Sequence, residues 1–204
     1  RLNEFDDYAL EEALQLKSGA GAEVVALALD GEEADLILYT ALAKGADRVI
    51  KVTGAPADAR GARTGALALA EALRPLAPDL VLAGVQAPDD LEGQLPPLVG
   101  AALGLPHVNV VTGLELDGAL ARITQEFSGG LVAHLEGDLP LVVGVQASRA
   151  APRYAAITRV RQAMASAKLE IVAVSAATVA PSPELRGLAR PEATTHAEMI
   201  EGSA

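Results

Sequence analysis

The sequence contains no cysteine, which excludes disulfides, thiolate metal sites and cysteine nucleophiles. Aromatic residues are nearly as scarce: Phe5, Phe127, Tyr8, Tyr39 and Tyr154 are the full set in 204 residues. Half of the chain is nonetheless hydrophobic, so the core has to be made of Ala, Val and Leu. Small aliphatics of this kind suit helices layered on a parallel sheet, whose strands are covered on both faces. Basic residues number 16 against 27 acids, a net charge of −11. A nucleic-acid binder or a protein held on an anionic membrane needs the opposite balance, and neither is expected. No apolar run reaches the ~18 residues of a spanning helix, so no direct membrane insertion is expected, and no secretory leader is visible. The motifs G-x-S-x-G, G-x-x-x-x-G-K-[ST] and G-x-G-x-x-G are all missing. His107, His134 and His196 are scattered, with no metal-ligand spacing between them. Neither a metal site nor an enzyme's proton-transfer pair is expected, and no solenoid repeat occurs.

What remains is a regular alternation of helix and strand signals. Asn3 is placed to cap a helix, with Asp6 three residues on to reach back to it. Ala9, Leu10, Ala13, Leu14 and Leu16 then share one apolar face, and Gly19 and Gly21 end the helix. EVVALAL (23–29), DRVIKVT (47–53) and DLVLA (79–83) read as buried strands. The stretches 32–44, 62–73 and 95–103 read as the helices after them, the last with two prolines near its first turn. Three such units predict a parallel α/β sheet with right-handed crossovers.

The period changes from 108 to 146, where four strand-like runs follow, two of them joined by the hairpin dipeptide Asp117-Gly118. A loop (148–156), a short helix (158–167) and a last strand (169–174) complete the fold. The predicted fold class is thus α/β, a doubly wound and mainly parallel sheet with an antiparallel β excursion. Residues 175–204, rich in Pro, Ala, Ser and Thr, read as an extended C-terminal arm without a core of its own.

Two segments carry functional signals. The loop Gly84-Val85-Gln86-Ala87-Pro88-Asp89-Asp90-Leu91-Glu92-Gly93-Gln94 follows a strand's C-terminus, where open α/β sheets bind ligands. Gly84 would let a ligand approach the backbone, and the next helix N-terminus offers amides to an anion. Its acids could accept from ribose hydroxyls or an adenine amine, or simply cap the helix. Arg149, Arg153, Arg159, Arg161 and Lys168 fall in twenty acid-free residues of an acidic chain. They make either a solvated basic face or a docking surface for an acidic partner. Arg60, Arg63 and Arg74 lie near Glu71 and read as an ordinary helix face. Ser128-Gly129-Gly130-Leu131 is similar to a phosphate-binding loop, but a strand pattern follows it where such a loop needs a helix, so it reads as a turn.

Several segments coincide with one family. LNEFDDYALEEALQLK (2–17), TALAKGADRVIKV (40–52), DLVLAGVQAPDD (79–90), FSGGLVAHLEGDLPLVVGV (127–145) and PRYAAI (152–157) resemble, in order, the β subunit of electron-transfer flavoproteins. The resemblance implies an adenine-nucleotide α-hydrolase-like domain over residues 1–174 that binds AMP in a structural role. It implies a heterodimer in which the α subunit holds most of the FAD and the 175–204 arm packs on that subunit. It implies electrons collected from primary dehydrogenases such as acyl-CoA dehydrogenases and passed to a membrane quinone oxidoreductase. The cofactor contacts carried over are Asn3, Glu4, Phe5, Asp6, Leu29 and Gly84 to Leu95 (Gly84, Val85, Gln86, Ala87, Pro88, Asp89, Asp90, Leu91, Glu92, Gly93, Gln94 and Leu95). The dehydrogenase docking segment is Pro152, Arg153, Tyr154, Ala155, Ala156 and Ile157, with Ile157 where the family anchors with a leucine. An electron carrier without catalytic residues is implied, in the bacterial cytoplasm or, for a eukaryote, the mitochondrial matrix.

Two departures from the family pattern matter. The family's Asn-Gln-Thr-Gly is Gly93-Gln94-Leu95-Pro96 here, so a phosphate would rest more on backbone amides. The family's first strand, which precedes Asn3, and its last helix have no counterpart among these residues. The alternatives are a small adenine-nucleotide hydrolase and a nucleotide-sensing module that works without a flavin partner.

Overall fold

The computed structural model describes residues 2–54, 61–87, 92–175, 187 and 189–190. The first half alternates as the sequence predicts: α1 (Glu4–Ala20), β1 (Val25–Leu29), α2 (Ala34–Lys44), β2 (Arg48–Thr53), α3 (Ala62–Leu73), β3 (Leu80–Gly84) and α4 (Leu95–Leu103). Then come β4 (His107–Asp117), β5 (Leu120–Phe127), β6 (Leu131–Asp138), β7 (Leu141–Val145), α5 (Ile157–Ser166) and β8 (Glu170–Ala173). Gly21 ends α1 in the left-handed region at φ 71°, its N–H donating to the Lys17 carbonyl. Helix α2 begins at Ala34 rather than at Glu32, because Ala34 N–H first closes a turn onto the Gly31 carbonyl.

The strands form two hydrogen-bonded sheets, ordered β1-β2-β8 and β3-β7-β4-β5-β6. In the first, every pairing is parallel. In the second, β3 and β4 run parallel to β7, while β5 and β6 add the antiparallel excursion. The division into two sheets is a feature that the periodicity did not announce. It grades the burial of strands that are equally apolar in sequence. β7, paired on both sides, is buried throughout, whereas β1 and β3, each at the edge of its sheet, are half-buried along nearly their whole length.

Alternating side chains send the two faces of each sheet to different helices. Val143 and Val145 of β7 pack with Ala9 of α1, while Val142 packs with Ala66 and Leu73 of α3 and Val99 of α4. In the other sheet Val49 meets Leu14 of α1 and Leu38 of α2, whereas Ile50 and Val52 meet Ala68 and Ala72 of α3. Helices therefore cover both faces, α1 and α2 on one and α3 and α4 on the other, which is the doubly wound arrangement. The alanines of α3 serve this packing: they let the helix lie close to strands that carry the branched side chains. Ser128–Gly130 forms a single tight turn with Gly129 and Gly130 at φ 79° and 76°, joining β5 to β6. The turn reading of that Ser-Gly-Gly segment holds.

Candidate functional site

The site grows from the junction of α1 with β3. Asn3 has the extended backbone of a capping residue, but its side chain makes no cap hydrogen bond. Its Nδ2 donates instead to the Gln86 carbonyl at 2.8 Å and to Asp6 Oδ2 at 3.1 Å. The other oxygen of Asp6 accepts the Gly84 N–H at 2.7 Å. The predicted Asn3–Asp6 pair is thus present, but it is turned outward from its own helix. It fixes the end of β3, some 80 positions away.

This changes the reason for glycine at 84. A Cβ there would stand 2.7 Å from the Asp6 nitrogen and 2.8 Å from the Phe5 carbonyl carbon. The close approach that this glycine permits in the structure is by the first turn of α1. Val85 N–H donates to the Val145 carbonyl at 2.9 Å, continuing the ladder between β3 and β7 for one more residue. The chain leaves the sheet at Gln86, which is exposed, and Ala87, which is half-buried. Pro88, Asp89, Asp90 and Leu91 lie outside the described residues, as do 176–186, 188 and 191–204 of the arm.

The loop returns through Glu92, which is exposed, and Gly93 at φ 60° to Gln94, which precedes α4. Pro96 and Pro97 occupy the first turn of α4, and neither has an N–H. The orphan donors of this helix end are therefore the amides of Gln94 and Leu95. Leu95 itself leans on the cluster of Val99 and Val142. Glu4 accepts the Tyr8 hydroxyl at 3.1 Å, which holds that phenol above its usual pKa. Leu29 packs with the Ile50 and Val52 cluster of the other sheet. The structure thus joins Asn3, Asp6, Gly84 and Gln86 into one bonded group, with the Phe5 backbone close against Gly84 and with Gly93, Gln94 and Leu95 at the far side of the loop.

Two residues beside this loop escaped the sequence reading. Asn109 lies in β4 where the pairing with β7 shifts register between Val108 and Val111. The next residue, Val110, is held at φ 60°, an unfavourable place for a β-branched side chain. Asn109 Nδ2 reaches the Gly93 carbonyl at 3.5 Å, and its buried Oδ1 has no hydrogen-bond partner among the described residues. That oxygen lies 1.7 Å from where a Cβ on Gly144 would stand. Gly144 of β7 is therefore the residue that makes room for Asn109. A glycine within an apolar strand was the available signal.

The second predicted segment, Pro152 to Ile157, enters α5. Tyr154 is 83% exposed and Ile157 64% exposed, while Pro152, Ala155 and Ala156 are half-buried. The basic cluster around them is divided. Arg153 Nε and Nη2 donate to the two oxygens of Glu11 at 2.9 Å each, and Arg153 N–H donates to Glu11 Oε2 at 3.0 Å. Arg149 N–H donates to Glu12 Oε1 at 2.5 Å, with its Nε 3.4 Å from Oε2. Both carboxylates are buried, at 5% and 1% exposure. Burial alone would raise the Glu11 pKa, but the side-chain and backbone hydrogen bonds from Arg153, helped by Gln15, outweigh it and hold it below the ordinary value. Two of the five basic residues are thus engaged by α1, and Arg159 and Arg161 remain exposed on α5.

Among the described residues no group of three His, Asp or Glu is placed to hold a metal, and no helix is long and apolar enough to cross a membrane.

With this geometry in place, the comparisons with known proteins agree with one another. The family described as "Electron transfer flavoprotein domain" matches residues 1–179. The electron transfer flavoprotein subunit beta of Syntrophomonas wolfei is 42% identical over 182 residues, 89% of this chain and 69% of that protein. The subunit beta of Methylophilus methylotrophus is 36% identical, over 79% of this chain and 63% of its own length. The human subunit beta is 35% identical, over 84% of this chain and 68% of its own length. The chain spans about two thirds of the length of the curated relatives it matches. Sequence, fold and relatives converge, and the chain belongs to the electron transfer flavoprotein family, on the side of its β subunits.

Proposed function

We propose that this chain is the nucleotide-binding β subunit of a heterodimeric electron-transfer flavoprotein. In this reading AMP is bound in a structural role by the loop from Gly84 to Leu95, against the first turn of α1. The observation that carries it is the bonding of Asn3 and Asp6 to Gly84 and Gln86. It anchors the carboxyl end of a parallel strand, from which the chain runs on to a helix N-terminus, a placement that suits nucleotides in doubly wound folds. The residues present fit an AMP monophosphate. The amides of Gln94 and Leu95 can meet the phosphate, and exposed Gln86 and Glu92 offer partners for ribose and adenine. Leu29 would contribute only apolar contact.

The flavin supplies the electron-carrying chemistry when FAD is bound, mostly by an α subunit. This chain's own share is to complete that complex, present Pro152 to Ile157 to primary dehydrogenases such as acyl-CoA dehydrogenases, and leave the reduced complex free to meet a membrane quinone oxidoreductase. The arm 175–204 embraces the α subunit. In this role the chain is a carrier subunit, the electrons residing on the flavin.

Co-expression with the cognate α subunit, followed by acid release and chromatography of bound nucleotides, tests the reading. One AMP and one FAD per heterodimer are expected. ATP hydrolysis by the purified chain alone would favour the hydrolase alternative, and AMP in a chain that forms no yellow complex would favour a nucleotide sensor. Removing residues 175–204 should leave the 1–174 core folded and weaken heterodimer formation.

A further inference from the structure

The segment from Ala147 to Ala156 has no regular secondary structure, and past Ala147, whose N–H reaches the Val111 carbonyl at 3.4 Å, no ladder holds it. Its apolar content is five alanines, Pro152 and Tyr154, the last 83% exposed, too little buried area to fix a ten-residue loop by packing alone. The structure fixes it with charge. Glu11 and Glu12, neighbours on α1, reach backbone N–H groups four residues apart in the loop, those of Arg153 and Arg149. Glu11 adds a two-pronged pair with the Arg153 guanidinium. Charge-assisted bonds of this kind are roughly twice as strong as neutral ones, and buried carboxylates strongly resist losing their partners. What the clamp leaves outside is Tyr154 and Ile157.

We propose that Glu11 and Glu12 are the positioning residues of the docking segment, holding the 149–157 backbone so that Tyr154 and Ile157 meet a dehydrogenase already ordered. The proposal rests on the reading that this segment docks dehydrogenases. An unclamped loop would have to be ordered at the moment of encounter, and that ordering cost would appear in binding rather than in the electron-transfer step. α1 then serves two loops: Asn3 and Asp6 hold the nucleotide side, and Glu11 and Glu12 hold the docking side. It also assigns the steering charge to Arg159 and Arg161, since the guanidiniums of Arg149 and Arg153, though partly exposed, are already paired with Glu12 and Glu11.

The test uses the flavin-loaded heterodimer, with an acyl-CoA dehydrogenase as electron donor. Glu11→Gln keeps the side-chain size and removes the charge. It should raise the KM for the dehydrogenase about tenfold with kcat unchanged and AMP and FAD retained, about 1.4 kcal/mol by the tenfold rule. Glu12→Gln should act in the same direction, and Glu11→Gln combined with Ile157→Ala should cost less than the sum of the two. Hydrogen exchange at the Arg149 and Arg153 amides reads the clamp without any partner: slow in the wild type, faster in each Gln variant, with α2 and β7 unchanged. Failure of the two ideas can be told apart. If Ile157→Ala leaves reduction unchanged, the docking reading falls. If Ile157→Ala slows reduction while Glu11→Gln and Glu12→Gln leave KM and amide exchange as they were, the positioning role falls. Should Glu11→Gln fold poorly, Glu12→Gln and the wild-type exchange rates decide, and rapid wild-type exchange at both amides overturns the clamp.

Discussion

Asp6 Oδ1 lies 2.7 Å from the Gly84 nitrogen and 2.8 Å from the place a Gly84 Cβ would take. The same carboxylate thus bonds the end of β3 and forbids any side chain there. Two of the three nearest atoms are backbone atoms of α1, which cannot swing aside as a flexible side chain would. Gly84→Ala should therefore cost about 1–3 kcal/mol through overpacking. It should displace the first turn of α1 and with it the Asn3 bond to the Gln86 carbonyl. Bound AMP should fall together with the melting temperature. Thermal melts beside nucleotide release from the same preparations check this, and a variant with unchanged melting and full AMP would show slack at the junction.

The contact between Asn109 and Gly144 makes a second prediction of the same kind, with a built-in rescue. A Cβ at 144 would overlap Asn109 Oδ1 outright and press on Pro96 Cγ at 3.1 Å. Gly144→Ala alone should destabilise by about 1–3 kcal/mol or more, because β7 is buried at every residue. Asn109 Oδ1 accepts no hydrogen bond from the described residues, so Asn109→Ala removes the obstacle while giving up little. The double variant should recover part of the loss. Urea midpoints of the two single variants and the double variant measure the coupling, and strict additivity would mean that the two residues do not share the space.

The α/β alternation was readable because small aliphatic runs of strand length alternate with helix patterns ended by Gly21 and Gly45, and those signals are local. The hairpin at Asp117-Gly118 and the turn at Gly129-Gly130 were local too. The partners of Glu11 and Glu12 were not, lying 142 and 137 positions away. The sequence does place both acids between Leu10 and Ala13, against the apolar face of α1, and an acid at that edge was the only hint of a buried partner. Asn3 was read from its neighbours as a capping residue. Its real acceptor, the Gln86 carbonyl, is 83 positions away and becomes visible only after β3 packs beside α1. The split into two sheets was equally hidden, since β1 and β7 are alike in composition and differ only in how many neighbours they pair with.

The Glu11–Arg153 pair should make the protein acid-sensitive in a defined direction. The folded-state pKa of Glu11 is lowered. Its contribution is therefore present above the pKa of the unfolded carboxyl, about 4.3, and is lost as pH falls through the lower folded value. Between about pH 5 and pH 3 the wild type should lose stability faster than Glu11→Gln, which has no such group to protonate. At neutral pH the wild type should be the more stable of the two. Melting curves for both proteins across that range test the sign. Parallel losses in the two would assign the acid response to other carboxylates, such as Asp47, whose pKa is also lowered by its bonds to Lys17 and the Val24 amide.

Ile157 opens α5 with 64% of its surface exposed, while Val160, one turn on, is buried. Helix α5 packs on α2, and Ile157 keeps most of its surface outside that packing. Truncating a buried isoleucine costs about 2–5 kcal/mol, whereas exposed positions usually change stability by less than about 0.5 kcal/mol. Ile157→Ala should accordingly melt with the wild type. Its effect should fall on the dehydrogenase instead, as an exposed apolar residue ringed by charge is the arrangement of an interface anchor. Reduction of the flavin by an acyl-CoA dehydrogenase should slow by tenfold or more. Replacing Arg159 and Arg161 by Gln should instead weaken the dependence of that rate on salt, because rim charges act on encounter. Stopped-flow reduction over a salt series, with melts of the same proteins, separates the two contributions. A lowered melting temperature with an unchanged reduction rate would return Ile157 to the core and remove it from the docking surface.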